Sequence, residues 1–519
     1  MLILSSLSCE RIKLWEWDGK IPTSQNEDND NVMDKAYWMI WNESVQTSID
    51  ENIDKYRKAN ANLNLQELPI GTIVTIEQVT HDFIFGAQIF NFNQLGSYDY
   101  NNTYKKLFVS MFNSATIPFY WKKLEPEQGY IRYMEEHNDT EEFWNSCENP
   151  TAQQNWRRPA TDPIVEFCET HGILMHGHPL VWGNRLGQMP YWIWDTMIPE
   201  EKKIMDNLVE EYANSENKNH TDIYTEAYSE LTPKQLENMF PAFTLGLNNL
   251  YYNRIDEIAK HYVGRINSWD VVNECTTDFS NGKLIKNDQL CKSLYGIMPG
   301  DYPYKSFKRA SSVFPNDVLL GINDAILDEN YLNNIKDLIS RGCKIDLIGA
   351  QMHLFDASLS TKIANGEDIQ TPDQIIKWVD CLRLAGLPIR ISEVTIPAPD
   401  NNTKSKLIQA VIARNLYRLW FSLEPISGIT WWNLVDNCGS LTEPTTSGIF
   451  NRDMTPKPAY YALDNLINNE WKTNLIVALD SSKTIKFRGF KGQYIVSWSD
   501  GENNIHSIEF NLEKDEDGI

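Results

Sequence analysis

Two glutamates occupy matching positions in the sequence, each at the end of a short apolar run. Glu274 ends segment 266–274 directly after Asn273, and Glu393 follows the run 387–392. Apolar runs of this length, rich in β-branched residues, predict buried parallel strands with polar residues at their ends. Two facing carboxyl groups can hydrolyse a glycosidic bond when a raised pKa keeps one protonated while the other stays ionised. We therefore interpret the two glutamates as a catalytic pair rather than as members of separate ion pairs.

Other strand-like segments end in side chains that suit sugar binding. An amide hydrogen-bonds a sugar hydroxyl, an indole lies under a sugar ring, and a histidine beside a carboxylate orients it. The residues of these types are His176, His178, Trp182, Gln351, His353, Trp431 and Trp432. Gln351 and His353 share one face of their strand because side chains alternate along a strand. Together these residues predict a sugar site, although a single strand histidine is more often a core residue.

Eight strand-like segments alternate with helical or loop-rich stretches. They cover residues 83–89, 114–120, 173–182, 266–274, 318–324, 346–353, 387–395 and 428–436. This order predicts an α/β fold, a (β/α)8 TIM barrel, in which functional residues collect at the C-terminal ends of the strands. Two long polar connections, 134–161 and 200–237, are predicted to shape a substrate groove.

The chain divides into four predicted parts. Residues 1–35 read as a signal remnant and flexible tether, and 36–80 as an N-terminal helix and β appendage. Residues 81–470 form the catalytic barrel, and 471–519 form a C-terminal β appendage. Because the two appendages flank the barrel in sequence, we expect them to pack together as one small accessory β domain. We expect this domain to brace the barrel, with carbohydrate binding as the alternative.

The charge and the cysteine content indicate which kinds of binding partner the chain favours. With 47 Lys and Arg against 71 Asp and Glu, the formal charge is −24, which disfavours nucleic acid and favours a neutral partner. No apolar run reaches the length of a transmembrane helix. The eight cysteines contain no CxxC pair. We expect a monomer that needs no cofactor and no metal.

The N-terminus suggests a location. Residues 1–8 are apolar and small and lead to Cys9, as at the end of a bacterial lipoprotein signal, and the acidic stretch 24–31 would be a tether. This interpretation predicts a lipid anchor at Cys9 and export to the bacterial periplasm or cell surface. The alternative is a short N-terminus without a targeting role.

Several motifs resemble glycoside hydrolase family 10, the retaining β-1,4-xylanase family, from about Phe83 to Leu466. They are Trp-Asp-Val-Val-Asn-Glu at 269–274, Gly-His-Pro-Leu-Val-Trp at 177–182, Gln-Met-His at 351–353, Ile-Ser-Glu-Val-Thr at 391–395 and Ile-Thr-Trp-Trp at 429–432. The resemblance implies that Glu274 is the acid/base and Glu393 the nucleophile. It further implies substrate-binding roles for Asn273, His178, Trp182, Gln351, His353 and Trp432.

The chain also departs from the family pattern. Family members carry a Glu-Asn pair and a Lys after the second strand, whereas this chain has Ala115 to Trp121 there without those groups. Gly183 stands where a His usually follows the third-strand Trp. Lost hydrogen-bonding groups change discrimination strongly, so we expect an altered glycone subsite.

The sequence thus predicts a retaining hydrolase of xylan-type β-1,4-linked polysaccharide. Three alternatives stay open at this point. The same fold and mechanism could act on another β-linked glycan, or the barrel could bind carbohydrate without turnover. A metal-dependent barrel hydrolase using His176, His178 and His353 is the third.

Overall fold

The computed structural model describes residues 15–183, 188–220, 222–293 and 296–519. Within these ranges, eight parallel strands pair in sequence order, and the eighth pairs with the first, which closes a barrel. The strands are Ile84–Gln88, Ser114–Pro118, Leu174–His178, Ser268–Asn273, Leu319–Asp324, Leu347–His353, Ile389–Thr395 and Ile426–Trp431. The predicted (β/α)8 barrel is confirmed.

Helices connect the strands and surround the barrel. The main helix of each connection is, in order, Tyr98–Met111, Thr161–His171, Pro241–Tyr262, Tyr302–Val313, Glu329–Ser340, Pro372–Leu382, Thr403–Ser422 and Pro458–Asn465. Side-chain caps start several of them: Ser97 Oγ accepts from the Tyr100 amide, and Asn402 Oδ1 accepts from the Ser405 amide. Such caps satisfy amides that have no partner inside the helix.

Glycines allow large side chains inside the barrel. A Cβ atom on Gly177 would lie 2.2 Å from the ring of Trp269, which is fully buried on the neighbouring strand. Likewise, a Cβ atom on Gly349 would lie 2.2 Å from Asn323 Oδ1. Glycine at these two positions therefore leaves room for the side chains of Trp269 and Asn323 on the adjacent strands.

Segments from both ends of the chain build a separate β domain. One sheet has the order Thr484–Phe490, Lys58–Asn64 and Asp517–Gly518, and the other has the order Asn474–Ala478, Ile73–Gln78, Gly492–Ser499 and Ile505–Leu512. The burial of alternate residues along Lys58–Asn64 follows from the two-residue period of a strand. Leu63, Val74, Ile76, Tyr494 and Leu512 are fully buried in the core of this domain.

The β domain adjoins the barrel through an aromatic and cationic seam. The Arg57 guanidinium lies 4.9 Å from the Phe83 ring centroid, and its Nε donates to the Phe421 carbonyl at 2.5 Å. The Phe421 and Trp471 rings stack with centroids 4.1 Å apart. His81 is enclosed in the same seam.

The N-terminal region differs from the predicted tether. Asp28 is buried and accepts hydrogen bonds from the amides of Val32 and Met33 and from Trp38 Nε1, so this stretch folds as a turn on the barrel side. Helix Glu43–Arg57 packs on helix Thr403–Ser422, where Arg418 forms an ion pair with Asp50 at 2.5 Å. The predicted lipid anchor at Cys9 lies outside the described residues. Among the described helices, none is long and apolar enough to cross a membrane.

The two long connections have different positions. Thr151, Gln153, Trp156, Arg157 and Arg158 of the first connection line the cleft at the C-terminal ends of the strands. The second forms helices Pro199–Glu216, Ile223–Ser229 and Pro233–Met239, and the described part of 200–237 adds no residue to the cleft lining. Only the first therefore shapes the groove in the described structure.

Candidate active site

A cleft of about 1270 Å³ lies over the C-terminal ends of the barrel strands. Its lining includes the eight residues to which the family resemblance gave roles: His178, Trp182, Asn273, Glu274, Gln351, His353, Glu393 and Trp432. His176 and Trp431, which the sequence also suggested for the sugar site, are not part of this lining. The eight lining residues come from the third, fourth, sixth, seventh and eighth strands or directly follow them. The barrel thus brings together residues that are up to 254 positions apart, counted as 432 minus 178.

Glu274 follows the fourth strand and is partly exposed to the cleft. Its backbone has a positive φ of 53°, an uncommon conformation for a non-glycine residue. Trp182 Nε1 donates to Glu274 Oε2 at 2.9 Å, and Gln351 Nε2 donates to Oε1 at 3.3 Å. Burial raises the pKa of this carboxyl, and the charges of Glu393 and Asp324 raise it further. These are the conditions that keep a carboxylic acid protonated.

Glu393 lies on the seventh strand and is buried. Asn323 Nδ2 donates to its Oε1 at 2.7 Å, and His353 Nε2 lies 3.1 Å from its Oε2. His178 Nε2 lies 3.9 Å from Oε1. Each oxygen of this carboxyl group therefore has a side-chain nitrogen within hydrogen-bonding distance. The two glutamates thus have different surroundings, one suited to a proton donor and the other to an anion.

A chain of amides connects the two carboxyl groups. Asn273 Oδ1 accepts from Asn323 Nδ2 at 2.9 Å and from Gln351 Nε2 at 3.2 Å. The same two amides donate to Glu393 and Glu274, respectively. All three amides are buried, and each fixes the orientation of the next.

A second polar group lies below the site, inside the barrel. Asp270 Oδ2 lies 2.8 Å from His178 Nδ1 and 3.0 Å from His176 Nε2. Burial would lower the pKa of His178, but the hydrogen bond to Asp270 and the charge of Glu393 outweigh burial and raise it. Burial likewise opposes ionisation of Asp270, yet His176 and His178 bring its pKa below its usual value. Asp270 therefore favours a protonated His178 next to Glu393.

Four aromatic side chains, Phe90, Tyr120, Trp182 and Trp432, form one packed cluster that we call the aromatic wall. The Trp432 ring lies 5.2 Å from Phe90 and 5.5 Å from His178, centroid to centroid. Tyr120 contacts His178 and Trp182 at 5.6 and 5.8 Å. Tyr120 follows the second strand, in the segment that lacks the Glu-Asn pair and Lys. Aromatic surface therefore occupies that side of the cleft.

Sequence reasoning missed three residues of this arrangement: Asn323, Asp270 and Tyr120. Asn323 was detectable in principle, because it ends an apolar run on the fifth strand as Asn273 does on the fourth. Asp270 lies in the middle of a predicted strand, where a buried carboxylate needs partners, and His176 and His178 supply them. Tyr120 carried no signal beyond its place in the altered segment.

The histidines of the metal-dependent alternative bind carboxylates instead of converging on one point. His176 and His178 contact Asp270, and His353 contacts Glu393 and lies 2.8 Å from Thr395 Oγ1. Over the described ranges, no group of three or more His, Cys, Asp or Glu side chains has a metal-binding arrangement.

A closed (β/α)8 barrel with two carboxyl groups in different environments at the C-terminal ends of its strands is the arrangement typical of glycoside hydrolases of the barrel class. The family follows from the sequence comparison. Residues 79–466 match the sequence model of the family described as "Glycosyl hydrolase family 10". The chain therefore belongs to this family. The resemblance seen in the motifs is confirmed.

Individual relatives are distant. The chain is 23% identical over 480 residues to "Anti-sigma-I factor RsgI6" of Acetivibrio thermocellus, covering 90% of this chain and 48% of the relative. It is 24% identical over 310 residues to "Endo-1,4-beta-xylanase A" of Thermoanaerobacterium saccharolyticum, covering 58% of this chain and 22% of the relative. The chain thus spans half or less of these relatives' lengths. Native xylanase 10B from Thermotoga maritima is a similar solved structure, with 21% identity, a TM-score of 0.49, and coverage of 75% of this chain and 96% of that one.

Proposed function

We propose that the chain is a retaining glycoside hydrolase that cleaves β-1,4-linked xylan-type polysaccharide by double displacement. The observation that carries this proposal is the contrast between the two glutamates. Burial and neighbouring charge raise the pKa of Glu274, whereas Asn323 and His353 direct hydrogen bonds at both oxygens of Glu393. This contrast separates an acid from a nucleophile.

In the first step, a Glu393 oxygen attacks the anomeric carbon, and the bond from that carbon to the leaving oxygen breaks. Glu274 gives its proton to the leaving oxygen, so the leaving chain departs neutral and a glycosyl ester of Glu393 remains. In the second step, Glu274 takes a proton from water, and the water oxygen attacks the same carbon. Glu393 leaves as a carboxylate, Glu274 is protonated again, and the sugar keeps its original configuration.

Other residues of the cleft would bind and orient the substrate in this scheme. Asn273 lies between the two glutamates through its amide partners, within reach of the reacting sugar. Trp182 and Trp432 present ring surface in the same cleft, and His178 and His353 flank the proposed nucleophile. Relatives named as endo-1,4-β-xylanases support xylan as the polymer.

The test is product release from a panel of xylans, mixed-linkage glucans and mannans. Wild type is compared with Glu274→Ala and Glu393→Ala, and the anomeric configuration of the first product is read by NMR. Release from xylan as the β-anomer, abolished by both substitutions, is the expected result. Release of the α-anomer would contradict double displacement, and release from another polymer alone would contradict xylan.

Two alternatives have a specific observation behind them. Tyr120 and Phe90 occupy the side of the cleft that lacks the family's polar residues, which favours a related hydrolase of another β-linked glycan. The second alternative is a barrel that binds glycan without turnover, and the observation behind it is that the relative matching 90% of the chain is named as an anti-sigma-I factor and not as a hydrolase. In that second case, the panel would give no product while binding persists.

A further inference from the structure

Two cations line the active-site cleft without a carboxylate partner. Lys123 and Arg158 both contribute to the cleft lining, and neither forms an ion pair within the described residues. Their cationic neighbours are paired: Lys122 with Asp222 at 2.8 Å, Arg132 with Asp139, and Arg157 with Glu443 at 3.0 Å. Two cations without an ion-pair partner thus line the cleft of a chain whose formal charge is −24.

Arg158 is held against the aromatic wall. Its guanidinium lies 3.7 Å from the Tyr120 ring centroid and 5.0 Å from that of Phe90, a geometry that attracts a cation to the ring face. Its Nη1 donates to the Arg157 carbonyl at 2.7 Å. Within the described part of the chain, this is the one hydrogen bond that the guanidinium donates, so most of its planar donor fork is free for a ligand. The guanidinium is thus positioned before any ligand binds.

Lys123 lies within electrostatic reach of Arg158. Burial lowers the pKa of Lys123 to about 8, and the charges of Lys122 and Arg158 contribute to the lowering. A bound anion would relieve this repulsion. Glu443 is a nearby carboxylate whose Oε1 binds Arg157 and the Ser440 amide, and among the described residues it forms no ion pair with Arg158 or Lys123. The part of the cleft that Lys123 and Arg158 line therefore suits an anion that arrives with the substrate.

We propose that Arg158 and Lys123 bind a carboxylate carried by the glycan, as on a xylan-type chain with uronic acid side groups. This inference rests on the proposed function, because the carboxylate reaches the cleft as part of the glycan substrate. Guanidinium and ammonium groups pair with carboxylates through charge-assisted hydrogen bonds. Tyr120 connects the cations to the reacting centre, since its ring contacts Arg158 on one side and His178 and Trp182 on others. The recognised group lies on the aromatic-wall side, where the hydroxyl-binding residues of the family are missing.

The experiment uses two ligands that differ in one group: xylo-oligosaccharides with one uronic acid side group, and the same molecules with that carboxyl reduced to a hydroxymethyl group. Binding is measured by calorimetry on the full-length Glu393→Ala variant, and hydrolysis is measured on wild type. We expect the acid to bind about tenfold more tightly than the reduced form. Adding Arg158→Gln or Lys123→Met should each remove most of that preference and leave binding of the reduced form within about twofold. Lys336→Met and Arg383→Gln, on exposed helical positions away from the cleft, are the matched controls.

The ligand pair on one protein keeps the test valid even if a cleft variant folds poorly. Equal binding of the acid and the reduced form would overturn the inference, and xylan hydrolysis would still support the proposed function. Preferential binding of the acid without any hydrolysis by wild type would support the carboxylate site and overturn the proposed turnover. Failure to bind either ligand would overturn the carboxylate site, whatever polymer the panel identifies.

Discussion

Asn323 Nδ2 donates a hydrogen bond to Glu393 Oε1 at 2.7 Å, across the barrel mouth from the fifth strand to the seventh. The same nitrogen donates to Asn273 Oδ1 at 2.9 Å, and Ser392 Oγ donates to Asn323 Oδ1 at 2.5 Å. One fully buried amide therefore fixes both the proposed nucleophile and the amide beside the proposed acid. Its position on a rigid strand makes it a positioning residue for the pair.

Substitution of Asn323→Ala should lower kcat by about 10- to 100-fold, because a buried hydrogen bond to a charged group is lost. The variant should keep its circular dichroism spectrum, and KM should change less than kcat. Steady-state kinetics on the preferred polymer and on an aryl glycoside measure both constants. An unchanged kcat would show that Glu393 keeps its orientation without this amide.

Substitution of Gly349→Ala should lower kcat as Asn323→Ala does, because it displaces the Asn323 side chain. The new Cβ would lie 2.2 Å from Asn323 Oδ1, so the amide must move away from Glu393. We expect a loss of kcat of at least about tenfold and a lower Tm, since overpacking costs about 1–3 kcal/mol. Gly246→Ala is the matched control: a Cβ there meets no atom within 4 Å, so activity should stay at the wild-type level. Equal activity of the two variants would contradict the proposed contact.

The proposed proton donor, Glu274, determines the direction in which activity should change with pH. Because the raised pKa keeps Glu274 protonated, activity should fall as pH rises through that pKa. Glu274→Gln should lack this alkaline limb in its residual hydrolysis of an aryl glycoside whose leaving group needs no proton. The hydrogen bond from Trp182 lowers the pKa of Glu274, opposing burial, so Trp182→Phe should move the limb to higher pH. The pH dependence of kcat measures both effects. Exposed Glu329→Gln is the control, and a limb that moves to lower pH in Trp182→Phe would contradict the assignment.

The barrel and its site residues were predictable because they depend on local sequence. Apolar runs marked all eight strands, and polar residues at the run ends marked Asn273, Glu274 and Glu393. The parallel arrangement then required those ends to meet at one face. The observed strands are shorter than predicted at several ends, such as 268–273 for the predicted 266–274, since pairing stops where the barrel opens.

The contacts between remote segments were not predictable in the same way. Arg158 lies in a long connection whose path over the barrel depends on tertiary packing, so nothing in its neighbours indicated a contact with Tyr120. The fold of residues 24–31 depends on burial of one carboxylate, Asp28, within an acidic stretch that otherwise reads as solvated. Spacing along the sequence does not encode these long-range contacts.

Substitution of Asp270→Asn should lower the pKa of His178. Burial favours the neutral imidazole, and the hydrogen bond to Asp270 is the main effect that raises the pKa above its usual value. Without the carboxylate charge, His178 should lose its proton at a lower pH than in wild type. Histidine NMR signals of the two proteins between pH 5 and 8 measure this shift, and kcat should fall about tenfold or more as the cation beside Glu393 is lost. Identical titration of His178 in both proteins would contradict the role of Asp270.

The seam between the barrel and the β domain should make the protein sensitive to acid through His81. Burial, together with the smaller effect of the Arg57 charge, lowers the pKa of His81 to about 3. In the unfolded state His81 binds a proton near its ordinary pKa of about 6.5, whereas in the folded state it does not, so stability falls as the pH drops from about 6.5 towards 3. His81→Asn retains an acceptor for the Phe83 amide, which His81 Nδ1 binds at 3.0 Å, but cannot titrate. Denaturant unfolding measures the free energy of unfolding at pH 7 and at pH 5. Between these two pH values, the variant should lose about 1 to 2 kcal/mol less of this free energy than wild type. An equal loss in both proteins would assign the acid sensitivity to other groups.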